Sequence, residues 1–88
     1  MNFTQVDPVI SSWSSTNRIP LATRYQDAEV RSFELVGGGG RAQIWVEVNG
    51  QISVHVWDYR KRRRSFVATL ATLEASLDQA LTVARSWA

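Results

Sequence analysis

The chain contains no cysteine, one histidine, one lysine and two prolines. Without cysteine there is no disulfide framework, no thiol nucleophile, no iron–sulfur cluster and no cysteine-based zinc site. That fits a reducing compartment, and the expected setting is the cytoplasm of a bacterium or its phage. His55 cannot build a multi-histidine metal site alone. The eight acids (Asp7, Asp27, Glu29, Glu34, Glu47, Asp58, Glu74, Asp78) are scattered, so neither a metal nor a cofactor is expected. No apolar run approaches the roughly 18 residues of a membrane span. Residues 1–8 carry no basic n-region and no apolar h-region, so no signal peptide and no membrane partner are expected. Catalysis needs a positioned acid, base or nucleophile in a concave site. Nothing here supplies one, so an enzyme is not expected and no small-molecule substrate is indicated.

What is present is a folded composition, with 44% hydrophobic residues over 88 positions. That length suits one domain spanning 1–88. The net charge of +2 is unevenly distributed. Arg60, Lys61, Arg62, Arg63 and Arg64 contribute +5, leaving −3 on the other 83 residues.

Asp7-Pro8 reads as a helix start, with Asp capping and Pro at the first helical position. Val9, Ile10 and Trp13 then form a stripe over 8–16. Residues 17–26 read as a connecting loop. Three strand patterns follow, over 29–36, 41–47 and 51–59. A four-residue loop at Gly37–Gly40 pairs Val36 with Arg41, Leu35 with Ala42 and Phe33 with Ile44. For the second hairpin, a three-residue loop at 48–50 with Gly50 left-handed pairs Glu47 with Gln51 and Val46 with Ile52. That register keeps Phe33, Leu35, Ala42, Ile44, Val46, Ile52, Val54 and Val56 on one face, with Arg31 at its end snorkelling outward. Phe66, Leu70, Leu73, Leu77, Leu81 and Ala84 recur at helical spacing. They predict a long C-terminal helix capped by Ser65, or a shorter one capped by Thr72 with 66–70 extended.

The expected fold is therefore α+β, in the order α-β-β-β-α. A three-stranded antiparallel meander carries the long C-terminal helix packed on one face. Double-stranded-RNA-binding domains share this element order. The likeness stops there, because Arg60–Arg64 do not match the Lys-rich motif that opens the last helix of those domains.

Two features point to binding. Arg60–Arg64 sit between the last predicted strand and the final helix. Arginine forks suit phosphate, and a polyanion would release counterions on meeting them, which points to nucleic acid. The same charges also serve a bland purpose, keeping a solvated loop soluble. The second feature is the outer sheet face, predicted to carry Trp45, His55, Trp57 and Tyr59. A large aromatic surface points to a protein partner or self-association, or to base stacking. Glu34 and Glu47 on that face would repel phosphate. His55 has no relay partner, since Asp58 three residues on falls on the opposite face of a strand. The tetraglycine lacks the following helix and the Lys of a phosphate loop, so it reads as a turn. The expected function is a non-catalytic binding module. The first expectation is that the basic loop Arg60–Arg64 contacts nucleic-acid phosphates; the alternative is a protein-interaction module, a homodimer or a phage- or antitoxin-type inhibitor, that uses the aromatic face.

Overall fold

Alternation of side chains between two faces builds the sheet. On one side lie Phe33, Ala42, Ile44, Val46, Ile52, Val54 and Val56, each at most 1% exposed. In the computed structural model, which describes residues 3–22, 30–37, 40–58 and 60–87, these residues lie on antiparallel strands in the spatial order β1-β2-β3-β4. The chain runs α1 (Phe3–Asn17), β1 (Val30–Gly37), β2 (Gly40–Val48), β3 (Ile52–Asp58), β4 (Arg63–Ala68) and α2 (Leu73–Trp87). The class is α+β, with both helices on the inner face of a four-stranded meander.

The fourth strand corrects the three-stranded expectation and departs from the α-β-β-β-α order. Residues 63–68 pair with β3, Arg63 opposite Trp57 and Ala68 opposite Ile52. The basic run therefore spans the β3–β4 turn and the first two residues of β4, rather than preceding a helix. Phe66 and Leu70 leave the helical stripe for the same reason. Thr69 and Thr72 close the turn that separates β4 from α2. The backbone N–H of Thr69 donates to the Thr72 hydroxyl at 2.9 Å, and that of Thr72 to the Thr69 hydroxyl at 3.3 Å. The Thr72 carbonyl then accepts from Ser76 N–H at 2.9 Å, so the shorter of the two predicted helices forms. Fifteen residues make α2 about 22 Å long. That is about the length of the seven-residue β3, so the overhang a longer helix would need does not arise.

The first hairpin has the predicted register, with Phe33 opposite Ile44, Leu35 opposite Ala42 and Val36 opposite Arg41. The second does not. Val48 pairs with Ile52 and Val46 with Val54, which puts the loop at 49–51. The shift keeps β-branched Val48 in the strand instead of the turn. Because each pairing moves by two residues, every side chain keeps its face. Gly50 has the expected left-handed backbone, with φ of 71°.

The helix α1 starts a turn earlier than Asp7-Pro8 suggested, with Pro8 inside it. Its buried stripe is Val6, Ile10 and Trp13. Trp13 meets Phe33 edge-on at 5.1 Å, and its indole N–H donates to Asp78 on α2 at 2.9 Å. Asp7, released from capping, accepts two bonds from Arg31, at 2.9 Å from Nε and 3.2 Å from Nη2. Arg31 is therefore buried, 2% exposed, with its guanidinium 4.1 Å from the Phe3 ring centre. It does not snorkel outward, because the half-exposed Asp7 carboxylate on α1 holds it against the inner face. At the other end of α1, Ile19 N–H reaches the Ser14 carbonyl and Arg18 N–H the Ser15 carbonyl. Arg18 takes a left-handed backbone, φ 57°, so this Schellman-type stop forms on arginine where glycine is commoner.

Candidate functional site

The β3–β4 hairpin is organised by one carboxylate. Asp58 ends β3 on the inner face, opposite Ala42, and is 2% exposed. It accepts from the backbone N–H of Arg60 at 3.1 Å and of Arg62 at 2.8 Å, and from the Arg62 guanidinium at 2.7 Å. Lys61 N–H reaches the Asp58 carbonyl at 3.2 Å, and Lys61 adopts a left-handed φ of 65°. Burial pushes the Asp58 carboxyl up, but the bonds and charge from Arg62, with help from Arg60, outweigh it and hold the group below its ordinary value. No buried side-chain nitrogen or oxygen among the described residues is left without a partner.

This geometry distributes the five cations. Arg62 is structural: besides Asp58, its guanidinium lies 5.1 Å from the Trp87 ring and contacts the Trp87 carbonyl at 3.4 Å, tying the hairpin to the end of α2. Arg60 and Lys61 stand exposed at the tip, with no ion-pair partner among the described residues. Strand alternation then separates the last two. Arg63 faces outward beside Trp57, with its guanidinium 6.0 Å from the Trp45 ring. Arg64 faces the helix side, 5.2 Å from the Phe66 ring, at the rim of an open groove with Gln79, Thr82 and Val83. The five do not form one patch.

The outer face is defined by the cross-strand register. One row reads Glu34, Gln43, Trp57, Arg63 from β1 to β4. The next reads Ser32, Trp45, His55, Ser65. Trp45 and Trp57 are half-buried, with ring centres 6.4 Å apart. The Trp45 indole N–H donates to Gln43 at 3.1 Å, and its ring meets His55 edge-on at 6.2 Å. The His55 side chain is 14% exposed, shares a 2.7 Å hydrogen bond with Ser65 and lies 3.4 Å from Glu47. His55 and Asp58 fall on opposite faces, as alternation requires. Gln51 lies in the loop rather than on the face, and Tyr59 lies outside the described residues.

Sequence reasoning placed Trp45, His55 and Trp57 together and missed the β4 column beside them, Arg63, Ser65 and Val67. Val67 is 69% exposed, the one large hydrophobic so open among the described residues. The signal was the two-residue period running on through the charges. Both helices pack on the other side, so no described helix lies over this face.

No helix among the described residues is long and apolar enough to cross a membrane. No group of three His, Asp or Glu among them could hold a metal ion. Compared with protein-family models, curated proteins and solved structures, the chain matches none.

Proposed function

We propose that the protein is a non-catalytic protein-interaction module whose working surface is the outer sheet face. The observation that carries this reading is the Trp45–Trp57 pair on the two central strands, facing away from both helices. Aromatic side chains contribute large contact area at low entropic cost, and Val67 on the same face is 69% exposed. The charges around the pair are of both signs, Glu34 and Glu47 against Arg41 and Arg63, which suits a protein surface better than a polyanion.

The test replaces the pair by Trp45→Ser and Trp57→Ser. Because the rings face outward, the thermal midpoint is expected to move far less than for Trp13→Ser, whose ring is 2% exposed. Retention on a hydrophobic resin, or the mass from light scattering, is expected to fall. A variant identical to the wild type in both retention and mass contradicts the reading.

The exposed tip cations Arg60 and Lys61 favour a second reading, binding of nucleic-acid phosphates beside the Trp57–Arg63 pair. Neutralising all five basic residues would strip Asp58 of its partner. The informative variant is Arg60→Gln, Lys61→Gln and Arg63→Gln, with Arg62 kept. The slope of log affinity against log salt on duplex DNA is expected to flatten by about 0.9 for each phosphate that is no longer neutralised. An unchanged slope, or no binding at low salt, excludes this reading.

A further inference from the structure

Resting on the interaction reading above, we infer that the occupant of the outer face is a second copy of this chain. The two sheets pack face to face about a two-fold axis that runs along the strands between β2 and β3. The observation is the order of residues in one cross-strand row. Glu34 stands on the β1 edge and Arg63 on the β4 edge, with Gln43 and Trp57 between them.

A two-fold axis parallel to the strands lays β1 of one copy over β4 of the other, and β2 over β3. Each position stays at its own level along the strand. Glu34 then meets Arg63 of the second copy, and Arg63 meets Glu34, so the symmetry makes both contacts attractive. In the next row, Trp45 meets His55 of the second copy at both symmetry-related places. No like charges are opposed among the described outer residues.

The alternative in-plane axis, across the strands, fits worse. Centred on the Trp45–His55 row, it sets Arg63 over Val67 and leaves Glu34 without a cation opposite.

Sheet twist does not spoil the match. Packed sheets turn by about 30° relative to each other. An edge strand lies about 7 Å from the midline, since strands are about 4.8 Å apart. The turn therefore slides it about 4 Å along its neighbour, roughly one residue. Glutamate and arginine side chains reach across that. Within one copy, Glu34 is held only loosely, by Arg41 at 3.6 Å with both side chains open to solvent. A face of both signs that is complementary to itself under one rotation selects a second copy over a partner of uniform charge.

The experiment is charge reversal with mixing. Glu34→Arg alone and Arg63→Glu alone each make both symmetric contacts repulsive. Each is expected to raise the dimer dissociation constant tenfold or more, on the order of the cost of opposed like charges. Mixed in equal amounts, the two variants form a heterodimer in which both contacts are attractive again. Native mass spectrometry separates that species from either homodimer by mass, and sedimentation gives its affinity. The double variant carrying both changes is expected to dimerise like the wild type. Circular dichroism on each variant separates failure to associate from failure to fold, and recovery on mixing cannot come from unfolded chains.

Heterodimer preference on mixing, with weakened homodimers, supports the inference. A wild type that stays monomeric at the highest soluble concentration overturns it. So does a dimer that ignores both reversals yet dissociates on Trp45→Ser and Trp57→Ser; the outer face is then used in another arrangement, and the interaction reading survives. A dimer that ignores the charge and tryptophan changes alike overturns both, since the interface then lies elsewhere.

Discussion

Asp7→Ala is expected to destabilise the protein by about 2–4 kcal/mol, although Asp7 sits in a helix where alanine is the better helix former. The loss falls on its partner. Arg31 is 2% exposed on the inner face, where it replaces an apolar residue in an otherwise hydrophobic column. Its Nε and Nη2 both donate to Asp7, so removing the carboxylate takes two charge-assisted bonds from a buried guanidinium. The bond from Nη1 to the Val30 carbonyl and the contact with the Phe3 ring do not replace those two bonds. Alanine gains roughly 0.5 kcal/mol of helix propensity in return, which offsets only a small part of the loss. Arg31→Met is expected to behave differently. It removes the charge and keeps the volume, so the cost falls below about 1.5 kcal/mol. Once Arg31 is Met, Asp7→Ala costs little further, because the charge it compensated is gone. Urea denaturation of the four proteins closes the cycle, and the coupling is expected to exceed about 1 kcal/mol. For a chain of this length total stability is on the order of 4–13 kcal/mol, so Asp7→Ala removes a sizeable share.

The second large effect is on the hairpin, and it depends on pH. Asp58 is held below its ordinary value: burial raises it, and the bonds from Arg62 and Arg60 lower it further than burial raises it. A carboxyl whose folded value is depressed stabilises the fold above the unfolded value, near 3.8, and that contribution disappears as pH falls through the lower folded value. Wild type is therefore expected to lose stability steeply below about pH 4. Asp58→Asn starts lower at pH 7, because it accepts fewer bonds and cannot balance the Arg62 charge. Its acid limb is shallower, so the two curves converge at the acid end. Thermal midpoints measured between about pH 7 and pH 2 check this, and a constant gap between the two proteins would contradict it. Asp58→Ala is expected to be worse than Asn at neutral pH. It strands the N–H groups of Arg60 and Arg62 and unfastens Arg62 from Trp87.

Both effects involve residues whose roles were hidden in the sequence, and for the same reason. The partner of Arg31 lies 24 positions away on a different element, so local reasoning sent its charge to water and spent Asp7 on a helix cap. The strand alternation around Phe33, Ile44 and Val54 was legible because a two-residue period is a local signal. The face of each side chain survived even where the pairing was off by two residues. The fourth strand was not legible because its first residues are charged and its last mimic a helix. Arg63 and Arg64 read as solvated loop, and Phe66 and Leu70 sit four apart like helix neighbours. The residues that decided the matter, Thr69 and Thr72, act through reciprocal backbone bonds that no periodicity reports. On the surface, Trp45 and Trp57 were identifiable from alternation alone. That Arg63 joins them while Arg64 does not follows only from β4. The edge arginines have a further use: charged residues on an exposed edge strand discourage pairing with other chains, and β4 is such an edge. The opposite edge is partly closed, since Leu21 bridges to Phe33 and Ala22 N–H donates to the Ser32 carbonyl at 2.8 Å.

The central claim is that the outer sheet face is the surface this protein uses. A dilution series followed by the indole N–H signals of the tryptophans tests it most directly. Trp45 and Trp57 are expected to shift together with concentration, along with backbone signals of His55 and Ser65. Trp13, bonded to Asp78 in the core, is expected to stay fixed. Shifts confined to the helices, with Trp45 and Trp57 fixed, would contradict the claim; no shift at any concentration would overturn the second copy as occupant.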